Sequence, residues 1–409
     1  MIDLGLARIS RLLLQSPQTW KAIHVAGTNG KGSICAYLSA MLHASGSSVG
    51  RFTSPHLIDR WDCVTINEQP VSETLFRDVE DLVKQRNEDG QIQATPFELL
   101  AATAFEILER EKVDFGVIEV GLGGKLDATN AMKQKAVTVI SKIGLDHQGF
   151  LGHTIEEIAL HKAGIMREGI PCVVDGSNQT SVLDVIRGYA EEVGVDVVSP
   201  SVAPEVKESL SAQGWEPHQI GNLACAREAF RLAFPEADAS WERCASIAKH
   251  VHWPGRLQRI DISSITKQQQ PVLFDGAHNV QSAEVLAAYV NKHFRPSCQH
   301  VTWVLAASQG KDIDGILSLL LRPGDQVVAV RFGPADGMPW VKAADPSYIL
   351  EKARQYGLDK DGLYNANSNL ADALCHAAKV SDGAPMVIAG SLYLVSDTLR
   401  LLRDHKALS

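Results

Sequence analysis

Three glycines, a lysine and a hydroxyl fall within the seven residues GTNGKGS (Gly27, Thr28, Asn29, Gly30, Lys31, Gly32, Ser33). Glycines let backbone N–H groups converge on phosphate oxygens, Lys31 neutralises their charge, and Ser33 is placed to ligate Mg²⁺. Gly32, between Lys31 and Ser33, departs from the usual G-x-x-x-x-G-K-[ST] spacing. A plain glycine turn closing a strand is the competing reading. Apolar AIHVA (22 to 26) before the loop, and Ile34, Tyr37, Leu38, Met41 and Leu42 at helical spacing after it, favour a phosphate cradle instead, because they predict strand, loop and helix N-terminus in that order.

Glu119 closes the apolar run DFGVIEV (114 to 120) and precedes GLGGKLDATN (121 to 130). A carboxylate at the C-terminal end of a buried parallel strand stands where α/β ligand sites form. GLGG begins like a dinucleotide fingerprint, but Leu126 occupies the third glycine position, so that pattern fails. His147, in LDHQGFLG (145 to 152), could offer a neutral imidazole to a metal; a loop histidine taken alone is more often structural. Lys162 falls on the apolar stripe Ile155, Ile158, Ala159, Ala163, Met166 of a helix predicted over TIEEIALHKAGIMRE (154 to 168). Burial lowers a lysine pKa and a neutral amine is reactive. From spacing alone a lysine snorkelling at the stripe edge is slightly favoured. His24, His56, His153, His218 and His252 read as packing or surface residues.

The elements that must position these residues alternate short apolar runs with helical periods. SVGRF (48 to 52), a helix near 96 to 112, and AVTVI (136 to 140) complete a pattern that predicts a parallel sheet with helices on both faces. Polar SSITKQQQ (263 to 270) predicts a linker between a first domain, 1 to 262, and a second, smaller α/β domain, 271 to 409, with strands at PVLF (271 to 274), TWVLAA (302 to 307), DQVVAV (325 to 330) and PMVIAG (385 to 390). With 45% hydrophobic and 21% charged residues, the 409-residue chain has globular composition, which excludes disorder and collagen. A net charge of −9 without a basic block argues against a nucleic-acid partner. Seven scattered cysteines, none in a C-x-x-C pair, read as buried thiols of a reducing compartment. No window approaches about 18 consecutive apolar residues, and MIDLGLARIS lacks the marks of a signal or transit peptide, so a soluble, cytoplasmic protein without a membrane partner is expected.

In order along the chain, DLGLARI (3 to 9), GTNGKGS, FTSPHL (52 to 57), TPFE (95 to 98), EVGLGGKLDATN (119 to 130), LDHQGFLG, HKAGI (161 to 165), HQIGN (218 to 222), WPGRL (253 to 257), FDGAHN (274 to 279), GKD (310 to 312) and GSLYLV (390 to 395) resemble the Mur ligase superfamily. Within it the chain is similar to the folylpolyglutamate synthase and dihydrofolate synthase family. LRPGDQVVAVRF (321 to 332) and GMPWVKAADP (337 to 346) resemble its fungal-type dihydrofolate synthases most. The resemblance implies an N-terminal P-loop ATPase domain with a parallel-rich sheet and a smaller Rossmann-like C-terminal domain. It implies ATP-dependent amide formation between a pteroate-type carboxylate and L-glutamate through an acyl phosphate, in a monomer whose partners are small molecules.

Carried onto this chain, the family's roles put Gly27 to Ser33 on ATP, with Asn222, Arg256, Asp275 and His278, and place the nucleotide between domains. Ser33 and Glu119 would hold one Mg²⁺, and Glu119, His147 and Ser54 a second. Lys162 matches the lysine that CO₂ carbamylates. Phe97, Asp127 and Ala128 match the pterin end, DLGLARI (3 to 9) resembles the family's N-terminal pteroate loop, and Lys311 and Asp312 lie toward glutamate. Lys31, Glu119, His147 and Lys162 are thereby the expected catalytic set. Two departures stand out: His161 occupies a position usually acidic, and Lys125 one usually arginine. The resemblance leaves folylpolyglutamate synthase, or a bifunctional enzyme, as the alternative. A non-catalytic nucleotide binder would lack one of Ser33, Glu119, His147 and Lys162, and all four are present.

Overall fold

The computed structural model describes residues 3–408; Met1 and Ile2 of the MIDLGLARIS stretch and Ser409 lie outside the described residues. Two compact units form, one from the chain up to His56 and from Trp61 to His252, the other from Leu57 to Arg60 and from Trp253 onward.

The first unit holds eight strands, β1 (Lys21–Ala26), β2 (Val49–Phe52), β3 (Val64–Ile66), β4 (Gln69–Pro70), β5 (Phe115–Glu119), β6 (Lys135–Ile140), β7 (Cys172–Val174) and β8 (Val197–Val198), in the order β4-β3-β2-β5-β1-β6-β7-β8. From β2 to β8 all neighbours are parallel; β3 and β4 add an antiparallel edge. The central strands are largely apolar because both faces are covered. On one face Ile23, Val25 and Val117 pack with helix α2 (Lys31–Ala44). On the other, Ala22, Phe52 and Ile118 pack with α1 (Ala7–Leu12) and α3 (Pro96–Arg110). The stripe expected on α2 is buried, and so are Cys35, Ala36 and Ser39, because the helix Pro217–Ala233 lies against its outer side.

The helix predicted over 154 to 168 ends early: α4 spans Ile155–Ala163, and Gly164 caps it. Ile165 and Met166 are nevertheless buried, carried inward by the turn that follows.

The second unit's sheet comprises β9 (Gln258–Ile260), β10 (Val272–Phe274), β11 (Thr302–Leu305), β12 (Gln326–Ala329), β13 (Leu363–Asn365) and β14 (Met386–Ala389), ordered β13-β12-β11-β14-β10-β9. All its pairings are parallel except β9 with β10. That antiparallel pairing draws residues 253 to 262 into the second unit, ten residues ahead of the expected break, and Ser263–Thr266 of the expected linker form a helical turn. Polarity marked the exposed turn between two paired strands, not the unit boundary. Five cysteines are buried, Cys298 is partly so, and Cys375 is exposed, which corrects the expectation for that residue. Among the described residues no helix is long and apolar enough to cross a membrane.

Candidate active site

Strand β1 lies between β5 and β6, with Val25 opposite Glu119 and Ala26 opposite Ile140. The segments that follow these three strands therefore leave one sheet edge side by side. Gly27 holds φ +147°, and a Cβ there would stand 1.8 Å from Ser141 Oγ. Gly30 holds φ +89°, where a Cβ would meet Asn222 Oδ1 at 2.4 Å. The glycine requirement is thus steric as well as conformational. The loop is laced to the segment after β6: Thr28 and Asn29 N–H donate to the Lys142 carbonyl at 2.9 and 3.1 Å, and Ser141 Oγ donates to the Asn29 carbonyl at 2.8 Å. Helix α2 then starts at Lys31 with no side-chain cap and no acid in its first turn. Unsatisfied amides at a helix start, with the dipole behind them, fit an anionic phosphate group.

Charge gathers at the same edge. Glu119, 6% exposed, puts one carboxylate oxygen 3.7 Å from Lys31 Nζ and accepts from the Ser54 N–H with the other at 3.2 Å. Lys31 Nζ also donates to the Thr28 carbonyl, at 3.2 Å. Lys162, 5% exposed, donates from Nζ to the Gly27 carbonyl at 2.7 Å. The snorkelling alternative is therefore overturned: α4 presents this side chain inward, under the loop. Burial foremost, and the nearby Lys31 charge, pull its amine down to about 7, while Asp146 and Asp127 oppose the shift. Ser33 is half-buried in the first turn of α2.

His147 opens the short helix Gln148–Leu151 with φ 53°; its N–H donates to Asp146 Oδ1 at 2.8 Å and its exposed ring lies 3.9 Å from the same oxygen. Ser33, Ser54, Glu119 and His147 offer hard oxygens and one imidazole, a donor set that fits a divalent cation bridged to phosphates. Among the described residues no group of three or more His, Cys, Asp or Glu gathers for a metal. The expected set has only two residues of those types and depends on hydroxyls.

Beside the segment that follows β5, Phe97 in the first turn of α3 lays its ring on Gly121, where a Cβ would come within 2.2 Å of Cζ, and sits 6.3 Å from the Phe52 ring. Asp127 is 1% exposed and its carboxylate accepts from Leu122 N–H at 2.7 Å and from Thr129 N–H and hydroxyl, which folds the GLGGKLDATN loop; burial raises its pKa. Ala128 is buried beside it. Gly124 and Lys125 lie on the end of α4, the Lys125 N–H donating to the His161 carbonyl at 2.8 Å.

A polar layer beneath this loop carried no assigned chemistry in the sequence. His24, fully buried, lies 2.8 Å from Thr129 Oγ1; because that hydroxyl donates to Asp127, the histidine ring is the donor. Lys135 donates to Asn130 Oδ1 at 2.7 Å and to the Ile165 carbonyl at 2.8 Å. Charged or hydrogen-bonding residues inside two otherwise apolar strands were the available signal. Ser141, Lys142 and Gly144, which brace the glycine loop, gave only their position after a strand.

Within the second unit, Asp275 follows β10 and accepts from Leu257 and Ala277 N–H, both at 2.8 Å, so it ties WPGRL to the strand end. Burial raises its carboxyl pKa, with Arg256 opposing. Arg256 donates to the Gly255 carbonyl and His278 Nδ1 lies 2.8 Å from the Gly276 carbonyl. Asp312 caps the helix Ile313–Leu320 by accepting from Gly315 N–H, beside half-buried Lys311.

Residues 25–205 match the Mur ligase middle domain and residues 258–401 the dihydrofolate synthetase C-terminal domain. Dihydrofolate synthetase of Saccharomyces cerevisiae is 37% identical over 99% of both chains. Mycobacterium tuberculosis folylpolyglutamate synthase complexed with ADP superposes with TM-score 0.83 at 26% identity, covering 98% of this chain and 95% of that one. The bifunctional folylpolyglutamate synthase/dihydrofolate synthase of Yersinia pestis, complexed with AMPPNP and Mn ion, gives TM-score 0.77 at 27% identity, covering 98% and 94%. The chain belongs to the dihydrofolate synthetase and folylpolyglutamate synthase family of Mur-type, ATP-dependent ligases.

Proposed function

We propose that this chain joins L-glutamate to 7,8-dihydropteroate with cleavage of ATP to ADP and phosphate, yielding dihydrofolate. The observation that carries the reading is the sheet edge where a braced glycine loop, an uncapped helix start, Lys31 and buried Glu119 converge. Full-length likeness to a yeast dihydrofolate synthetase supports this acceptor.

In this reading an acceptor carboxylate oxygen attacks the γ-phosphorus, ADP leaves, the amine of glutamate attacks the acyl carbon, and phosphate leaves as the amine gives up its proton. Lys31 and the amides of Gly27 to Ser33 hold the phosphates, and Asn222, Arg256, Asp275 and His278 contribute to ATP binding. Ser33, Ser54, Glu119 and His147 would hold two divalent cations, which supply charge neutralisation between two anionic reactants. Lys162, neutral above about pH 7, adds CO₂ and loses a proton to become a carbamate whose carboxylate serves the same cluster. Phe97 and Ala128 receive the pterin end, with Asp127 setting the loop's shape, and Lys311 and Asp312 face glutamate. The enzyme works as a cytoplasmic monomer on small molecules, with neither nucleic acid nor membrane as partner.

The deciding experiment is ADP release with MgATP and L-glutamate, offering 7,8-dihydropteroate or tetrahydrofolate. Turnover on dihydropteroate alone is expected. Turnover on tetrahydrofolate as well moves the assignment to a bifunctional enzyme, turnover on it alone to folylpolyglutamate synthase, and silence with both to a nucleotide binder.

A further inference from the structure

Arg8 lies on α1, 90 positions before Glu98, yet its guanidinium spans to the start of α3. Its Nε donates to both oxygens of Glu98, at 2.8 and 3.2 Å. Its two terminal nitrogens donate to the Asp3 carboxylate at 2.7 Å and the Asp3 carbonyl at 2.8 Å. The guanidinium is thus committed to protein groups on both sides, which is the arrangement of a strut and not of a substrate contact. Glu98 is 3% exposed and also accepts from Thr95 N–H at 2.7 Å, closing the capping box of α3. A capping glutamate needs only its threonine partner and usually stands in water. Here a carboxylate is buried, and Arg8 supplies its countercharge.

What the strut holds lies beside it. Phe97 immediately precedes Glu98, and Leu6, Phe97, Phe52 and Ala128 belong to one apolar cluster. The segment Asp3 to Leu6 and the acceptor-side residues therefore share both a packing surface and a charged anchor. The rest of α1 is held independently, by buried Ile9 and Leu12 and by Arg11 donating to the Gly90 carbonyl, and the segment after it by Arg86 bridging Ser16 and Glu106.

We infer that the Arg8–Glu98 pair is a positioning latch for the acceptor pocket, fixing the Asp3–Leu6 segment and the Phe97 ring where the pterin end docks. This rests on the assignment of Phe97 and Ala128 to the acceptor. Loss of the latch leaves the phosphate loop's own braces intact, so its effect is confined to one substrate. Lysine replaces Arg8 poorly, because its one nitrogen cannot stand both where Nε meets Glu98 and where the two terminal nitrogens meet the Asp3 carboxylate and carbonyl.

The test measures KM for dihydropteroate, MgATP and L-glutamate, with kcat, in R8A, R8K, E98Q and R8A/E98Q. R8A and R8K are expected to raise the dihydropteroate KM about tenfold, a shift of about 1.4 kcal/mol, while KM for MgATP stays within about twofold. E98Q, which keeps the capping box, gives a smaller rise, and the double variant is no worse than R8A. Equal losses in every parameter, or full rescue by R8K, overturn the latch. Hydrogen exchange on the free protein reads it independently of turnover: faster exchange at residues 95 to 100 in R8A, with residues 31 to 44 unchanged, is expected. If wild type turns over tetrahydrofolate but not dihydropteroate, the acceptor assignment falls while the exchange result still judges the latch; unchanged exchange at 95 to 100 sinks it.

Discussion

Two buried lysines sit in the first unit, in different surroundings. Lys162 and Lys135 are about equally hidden, at 5% and 6% exposure, both give protons to backbone carbonyls, and burial depresses both amines. Lys162, however, has Lys31 as an electrostatic neighbour and lies under a loop that has an open helix start. Lys135 adds the Asn130 side chain to its carbonyl acceptor and lies under a loop that is closed on itself by Asp127 and Thr129. The proposed roles thus separate two equally buried lysines by their surroundings, one beside a second cation and an uncapped helix start, the other inside a closed hydrogen-bonded loop.

The sharpest test of that contrast is at the open edge. Lys31→Ala and Glu119→Gln are expected to lower kcat about a thousandfold, the scale of losing one preorganised electrostatic partner, with thermal unfolding little changed; ADP release measures the first and calorimetry the second. Lys162→Met is expected to cost about a hundredfold in kcat, and removal of CO₂ and bicarbonate from wild type should lower the rate in the same direction. Lys135→Met should behave oppositely, with kcat within about twofold of wild type but folding stability lowered by about 1–3 kcal/mol, because Asn130 Oδ1 and the Ile165 carbonyl lose their donor; urea unfolding decides it. A Lys135→Met enzyme that is stable but inactive would erase the distinction.

The smallest effect is a pH slope. The folded Lys162 amine titrates at about 7 against 10.5 for an ordinary lysine. Between those values the unfolded chain holds a proton that the folded chain lacks, so stability rises with pH, and below about 7 the full cost of the buried charge stands. Wild type should therefore gain up to about 1.4 kcal/mol per pH unit from pH 7.5 upward relative to Lys162→Met.

Local pattern made the strand, glycine loop and helix of residues 21 to 44 legible, along with Glu119 at its strand end, because a 3.6-residue or strand-like run states its own partner face. The second buried side of α2 was illegible, since it is created by a helix nearly two hundred residues later. The brace of Ser141 and Lys142 on the loop, and Arg8 on Glu98, 90 positions apart, are pairings between segments distant in the chain that leave no period behind. Lys162 was visible as an oddity on a stripe, but whether it snorkelled or turned inward depended on Gly27, which supplies its acceptor. The unit boundary was misplaced because a polar turn between paired strands has the same composition as a linker.

The short excursion of Leu57 to Arg60 into the second unit has a consequence for the order of synthesis. Arg400 donates to the Ile58 carbonyl across 342 positions, and Arg403 pairs with Asp59 across 344. A ribosome releases Leu57 to Arg60 more than 340 residues before these partners. During translation the first unit can close around its own sheet while this segment waits in solvent, and its anchors arrive only when the helix Leu392–Leu408 emerges. A chain stopped just before Arg400 would thus carry a nearly finished second unit with two of its longest-range anchors missing.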